Sequence, residues 1–163
     1  MNNLIPDLIK SFNPNSKLWI FQSLEFLDND EVDFISKSIE SFLLSWESHG
    51  KKIKSTCFVI KSHFIFVLVD SNFSEASGCS IDGLFKKIQS LGGYLNKDFF
   101  KRNYIAFHKI NSKKINFLTF IDFKNYIKNY PEDLVVFDNS ISFLCDFKNW
   151  QLTLKDWKLK YFK

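Results

Sequence analysis

The run His63-Phe64-Ile65-Phe66-Val67-Leu68-Val69 is apolar after its first residue and rich in β-branched and aromatic side chains. Such a run favours a buried β-strand. Side chains alternate between the two faces of a strand, so Phe64 and Phe66 point one way and the odd-numbered residues point the other. Both sets are apolar. We therefore expect the sheet that contains this strand to be covered on both faces.

The segments around this run alternate between strand and helix patterns. Apolar residues recur at helical spacing from Val32 to Trp46 and from Ile81 to Leu91, and short apolar runs lie before, between and after them. The pattern predicts strands at 18–23, 53–60, 63–69 and 103–109, a helix that starts at Asp28 and ends at Gly50, and a helix from Ser80 to Leu91. The order β-α-β-β-α-β is that of the ferredoxin-like fold, an antiparallel sheet with two helices on one face.

The length of 163 residues fits a single domain of the α+β class. We divide it into an N-terminal arm (1–16), a ferredoxin-like core (17–109) and a C-terminal α/β extension (110–163). The second face of the sheet needs a cover, which either the extension or a second copy of the chain would supply. The second case would make the protein a homodimer.

Composition limits the partners. The formal net charge is +4, and Arg102 is the sole arginine among scattered lysines, which does not favour nucleic-acid binding. The stretch 62–69 does keep aromatic residues at the two base-stacking positions of RNA-recognition motifs, Phe64 and Phe66, but it lacks the basic residue, the glycine and the final aromatic of that motif. Single-stranded RNA binding is therefore a third hypothesis, behind the two described below.

The cysteines and the N-terminus indicate a cytoplasmic protein. Cys57, Cys79 and Cys145 are odd in number and widely spaced, which is not a disulfide framework. The first residues show no secretory signal, and no apolar run approaches the ~20 residues that span a bilayer. No spacing of histidine and cysteine predicts a metal site, and we expect no cofactor and no membrane contact.

The strongest candidate site is Ser77-Gly78-Cys79-Ser80-Ile81-Asp82, which joins the buried strand to the second predicted helix. Ser80 is the predicted N-cap. Cys79 would then lie at a helix start, where free amides and the helix dipole stabilise an anion and favour a thiolate. Asp82 in the first turn opposes that effect. The alternative is that Cys79 only fills a tight turn.

The topology brings further side chains to the same edge of the sheet. His49 ends the first predicted helix, and Asp70 follows the buried strand. A thiol, an imidazole and a carboxylate at one edge are the groups that activate a cysteine nucleophile. Trp46 flanks this edge. The candidate catalytic residues are therefore Cys79, His49 and Asp70, and the candidate ligand-binding residues are Gly78, Ser80, Asp82 and Trp46.

Five short segments spread over nearly the whole chain resemble a family of small bacterial proteins that are often labelled "ABC transporter ATPase". The segments are Trp19-Ile20-Phe21-Gln22-Ser23, Ser45-Trp46-x-x-His49-Gly50, Val69-Asp70, Gly78-Cys79-Ser80-Ile81-Asp82 and Asp98-Phe99-Phe100-x-Arg102. The resemblance implies one module and matches His49 and the 78–82 segment, but it implies no mechanism. None of the five glycines begins the phosphate-binding sequence GxxxxGK[ST], so the chain is not predicted to be a P-loop ATPase.

Two main hypotheses follow. The first is a non-catalytic cytoplasmic module that binds a small anionic ligand or a protein partner near residues 78–82, because a helix start binds anions without further machinery. The second is a thiol-dependent enzyme or redox sensor with Cys79 as nucleophile and His49 as base. Residue types alone leave open whether the protein is an enzyme.

Overall fold

The computed structural model describes residues 7–70, 72, 76–129 and 133–162. Residues 1–6 of the predicted N-terminal arm lie outside this range, and the rest of the arm includes a 3-10 helix at Asp7–Ser11. A second 3-10 helix spans Leu144–Asn149. The other elements are, in chain order, β1 (Lys17–Gln22), α1 (Asn29–Leu44), β2 (Glu47–Ser48), β3 (Lys51–Lys52), β4 (Ser55–Ile60), β5 (Phe64–Val69), α2 (Gly78–Leu95), β6 (Tyr104–Lys109), β7 (Asn116–Thr119), α3 (Phe120–Asn129), β8 (Leu134–Phe137), β9 (Gln151–Thr153) and α4 (Leu154–Tyr161).

The protein is of the α+β class, and the described residues form three antiparallel sheets. The chain divides into two compact units. Unit 1 contains Met1–Phe100 with Ser142–Cys145, and unit 2 contains Lys101–Ile141 with Asp146–Lys163. Whether the two units make the single domain that the length indicates stays a prediction.

The buried strand β5 is the middle strand of unit 1. It pairs antiparallel with β1 on one side and β4 on the other, in the order β1-β5-β4. All six of its side chains are at most 2% exposed. The predicted burial of this run is therefore confirmed.

One face of this sheet packs against α1 and α2. Ile65, Val67 and Val69 join the buried apolar residues of both helices in one core cluster. The start of α1 matches the predicted entry, since Asp28 and Glu31 form a capping box. Two helices on one face are what the β-α-β-β-α order predicts.

The opposite face of the sheet is also buried. Phe64, Phe66 and Leu68 are all 0% exposed, which confirms that the sheet is covered on both faces. RNA binding would require Phe64 and Phe66 to stack against bases, and neither side chain offers an accessible ring. These side chains are buried within a single chain, so a second copy is not needed to cover this face. That residues 110–163 supply the cover stays a prediction.

The fourth predicted strand belongs to another sheet. β6 pairs with β7 and β8 in a four-stranded sheet of order β7-β6-β8-β9 in unit 2. The outer edge of β1 is already occupied, because Leu18 N–H donates to the Ser142 carbonyl and Gln22 N–H donates to the Phe99 carbonyl. The prediction that 103–109 completes the first sheet is therefore wrong. This strand pairs instead with the next strand along the chain, β7.

The helices of the described residues include none that is long and apolar enough to cross a membrane.

Truncation of Phe66 to alanine tests the burial of the second face. We expect Phe66→Ala to lower the free energy of unfolding by about 3–5 kcal/mol, because it leaves a cavity among fully buried side chains. Phe26 is 66% exposed, so Phe26→Ala is the matched control and should change the value by less than about 1 kcal/mol. Urea denaturation measures both. Equal effects would contradict the burial.

Candidate functional site

The helix α2 begins at Gly78, two residues before the predicted start. Its N-cap is Ser77, whose backbone is extended (φ −72°, ψ 166°) and whose Oγ accepts from the Ser80 N–H. The two serine hydroxyls are also 2.6 Å apart. Ser80 is therefore the third helical residue and not the N-cap, because Ser77 already satisfies its amide. The cap-like spacing of Ser77 and Ser80 was the signal that could have identified Ser77.

The first turn of α2 leaves two amides available. The Ile81 N–H donates to the Ser77 carbonyl, and the Ser80 N–H is capped. Within the described part of the chain, the N–H groups of Gly78 and Cys79 have no hydrogen-bond acceptor. Both residues are exposed, and the first turn contains no acidic residue. These amides carry the partial positive charge of a helix of 18 residues.

The candidate His49 lies in a hairpin turn and not at the end of a helix. α1 ends at Leu44, and the antiparallel pair β2–β3 follows it. His49 and Gly50 are the two turn residues, with φ angles of 51° and 73°. Two consecutive left-handed residues are typical of a type I′ hairpin turn. Gly50 is therefore required by this turn, and its predicted role as a helix C-cap is wrong.

The hairpin is fastened to the start of α2 by two hydrogen bonds. Ser48 Oγ accepts from the Ser77 N–H at 3.2 Å. Trp46, which is buried, donates from its Nε1 to the Ser80 carbonyl at 2.9 Å. The topology thus brings the hairpin that carries His49 to the helix start that carries Cys79. No feature of the sequence pointed to Ser48.

Trp46 positions the site and is not accessible to a ligand. Its side chain is only 4% exposed and belongs to the main core cluster of unit 1. Its carbonyl accepts from the Ile53 N–H, so the same residue also ties the end of the hairpin. Asp82, in contrast, is exposed on α2 and lines an open groove along that helix.

The carboxylate of Asp70 is engaged elsewhere. It is buried and forms an ion pair with Lys54 at 2.9 Å, and it accepts from the Asn72 N–H. Burial opposes its ionisation, but the hydrogen bonds from Lys54 and Asn72 outweigh burial and hold the pKa of Asp70 below its ordinary value. Among the described residues it makes no hydrogen bond to His49 or Cys79.

The three cysteines differ in accessibility. Cys79 and Cys145 are exposed, and Cys57 is buried. Burial, aided by the charge of Glu40, raises the pKa of Cys57 to about 12. Within the described residues, the side chains of Cys79 and His49 make no hydrogen bond, so the arrangement contains a thiol and an imidazole on adjoining elements without a preformed nucleophile–base contact.

Comparison with protein-family models, with curated proteins and with solved structures found no match. The described residues also contain no group of three or more histidine, cysteine or acidic side chains that could hold a metal ion.

Replacement of Asp70 tests its structural role. Its depressed pKa means that the ionised carboxylate stabilises the fold above pH 3.8, and that this stability is lost as the pH falls through the lower pKa of the folded state. We expect Asp70→Asn to lower the free energy of unfolding at pH 7 by about 2 kcal/mol. The difference from the parent should shrink as the pH falls below 3.8. Chemical denaturation across this range measures it, and a difference that does not change with pH would contradict the ion-pair account.

Proposed function

We propose that the protein is a non-catalytic cytoplasmic module that binds a small anionic ligand at the start of α2. The observation that supports it most is the pair of exposed, unbonded N–H groups of Gly78 and Cys79. Carboxylates and phosphates accept hydrogen bonds from such groups. Inorganic phosphate is a simple probe of this class, since two of its oxygens can each accept from one amide.

The surroundings of these amides favour an anion over a cation. The N-cap hydroxyl of Ser77 is already engaged with Ser80, so the two free amides are the remaining donors of the first turn. His49 is exposed on the hairpin that Ser48 holds against this helix. A protonated imidazole there would add positive charge to the approach.

The finer fold assignment is also a proposal. We infer that unit 1 is a ferredoxin-like arrangement with three of its four strands, supported by the order β1-β5-β4 and by the two helices on one face. The resemblance to the small bacterial family fits one such module. It gives the proposed site no activity.

Gly78→Pro tests the anion site directly. Gly78 is the first helical residue, where proline is favoured, and Ser77 is already extended as a residue before proline must be. The substitution removes one N–H donor and keeps the helix. We expect it to weaken binding of inorganic phosphate about tenfold, because a hydrogen bond to a charged group is worth about 1.5 kcal/mol or more.

Gly78→Ala is the matched control. It keeps the N–H, and no atom lies within 4 Å of the position its Cβ would take. Phosphate titration followed by the amide NMR shift of residue 79 compares the parent with both variants, since the proline variant has no amide proton at residue 78. Cys79→Ser should bind as the parent does. Unchanged shifts in the parent, or equal binding by the proline variant, would contradict the proposal.

The alternative is a thiol-dependent enzyme or redox sensor, which the exposure of Cys79 at the helix start favours. Alkylation of the native protein, resolved by mass spectrometry, should modify Cys79 and Cys145 and spare Cys57, whose pKa is raised to about 12. Cys145 is the matched exposed thiol. The thiol hypothesis requires Cys79 to react at lower pH than Cys145.

His49→Asn then removes the imidazole and keeps the turn, since Asn-Gly is a preferred type I′ pair. Under the thiol hypothesis this variant raises the pH at which Cys79 reacts. Identical pH profiles for Cys79 and Cys145 in the parent would leave Cys79 as an ordinary surface thiol and contradict the thiol hypothesis.

A further inference from the structure

The two edges of the sheet in unit 1 differ in their backbone hydrogen bonds. In an antiparallel pair, alternate residues direct both N–H and C=O at the neighbouring strand and the others direct them away. On the outer edge of β1, the N–H groups of Leu18 and Gln22 point away from β5 and donate to the Ser142 and Phe99 carbonyls. That edge is occupied.

The outer edge of β4 is open. The Asp70 N–H donates to the Lys54 carbonyl, so the alternation directs the backbone groups of Ser55, Cys57 and Val59 away from β5. β4 has one neighbouring strand, and within the described chain the outward groups of these three residues have no hydrogen-bond partner. The strand Ser55–Ile60 also contains no charge, proline or glycine, which are the features that usually block pairing at an edge.

We propose that β4 pairs antiparallel with β4 of a second copy of this chain, which makes one continuous six-stranded sheet. The three outward residues are spaced symmetrically about Cys57. With Cys57 on the twofold axis, Cys57 faces Cys57 of the other copy and Ser55 faces Val59. This register uses all the outward groups of both copies, and a shift by two residues would leave some unpaired.

The same register keeps positive charges apart. Lys54 of one copy faces Ile60 of the other, and Lys61 faces Ile53. No lysine of this strand or its flanks is directly opposite another lysine, so the pairing avoids the repulsion that like charges cause across a sheet. In a parallel arrangement in the same register, each lysine would instead lie beside the identical lysine of the other copy, and the two charges would repel each other.

A groove beside β4 could accommodate Val59 of the second copy, which the proposed register places next to it. It is lined by Glu40, Leu43 and Leu44 of α1 and by residues 52–56, and its volume is about 630 Å³. Leu44 is 71% exposed. Ser55 and Val59 share the face that packs on the helices, because they pair with Val69 and Ile65 of β5. Val59 of the second copy, opposite the small Ser55, therefore projects into this groove, and symmetry repeats the contact.

The first test is the mass in solution. We expect a molar mass of twice 19.3 kDa by light scattering at a protein concentration of about 100 µM. This concentration exceeds the micromolar dissociation constants of weak specific dimers, so the dimer should predominate. Val59→Lys should raise the dissociation constant about a hundredfold, because each dimer would take two ammonium groups out of water at the interface. Ile121→Lys replaces a β-branched residue that is 72% exposed in unit 2 and should leave the dimer unchanged.

The second test does not depend on how well Val59→Lys folds. In a Cys57→Ala/Cys79→Ser/Cys145→Ser background, which also removes the thiol on the proposed twofold axis, Ser55→Cys and Val59→Cys are prepared as two separate proteins. Oxidation of their mixture should give a covalent dimer, because the two residues of a hydrogen-bonded antiparallel pair have Cα atoms about 5.5 Å apart, a distance that a disulfide can bridge. Each protein alone should behave as the background does, since equivalent residues lie four positions apart along the strand. A mass of 19.3 kDa without cross-linking, or a dimer that shows no cross-link in the mixture, would overturn the proposal.

Discussion

Unit 1 depends on one strand that is enclosed on every side. β5 uses its backbone for pairing with β1 and β4, and both of its faces are buried. An unpaired backbone group in such a position would lose its hydrogen bond to water without replacement. The strand therefore requires two neighbouring strands and two covered faces at once, and α1 and α2 supply one of those covers.

The candidate site is a consequence of how α2 and the hairpin meet at the end of this sheet. Trp46 has its ring in the core and its Nε1 on the Ser80 carbonyl, so one side chain fixes both the hairpin and the first turn of the helix. The Ser48 Oγ accepts a hydrogen bond from the Ser77 N–H, which immediately precedes that turn. The N–H groups of Ser77 and Ser80 thus have acceptors, and the N–H groups of Gly78 and Cys79 are the exposed donors that remain at the start of the helix. Preorganised donors of this kind bind an anion without the cost of ordering a loop.

Local signals in the sequence identified most elements but not all of their ends. The buried strand at 63–69 and the helix start at Asp28 are confirmed, because burial and capping act over a few neighbouring residues. α2 continues past the predicted stop because Gly92 is a packing residue. A Cβ there would lie 2.5 Å from the Lys97 carbonyl oxygen, so glycine is needed for a close approach and not for a helix end.

Features that depend on distant partners could not be read from the sequence. The predicted apolar stripe of the first helix included Trp46, but α1 ends at Leu44 and the Trp46 side chain joins the core from beyond the helix end. Asp70 follows the buried strand as a catalytic carboxylate would, yet its partner is Lys54, sixteen residues earlier. The choice of sheet for β6 likewise depends on Ser142 and Phe99, which occupy the edge of β1. Sequence spacing carries no information on such long-range competition.

Residue-resolved hydrogen exchange in the native state tests the central role of β5 most directly. The account predicts that the amides of Phe64–Val69 are among the slowest in unit 1 and exchange only through global unfolding, since every one lies in a strand paired on both sides. Their apparent free energies of opening should then equal the global value from denaturation. Exchange of these amides through local opening, at lower free energy than those of α1, would contradict it.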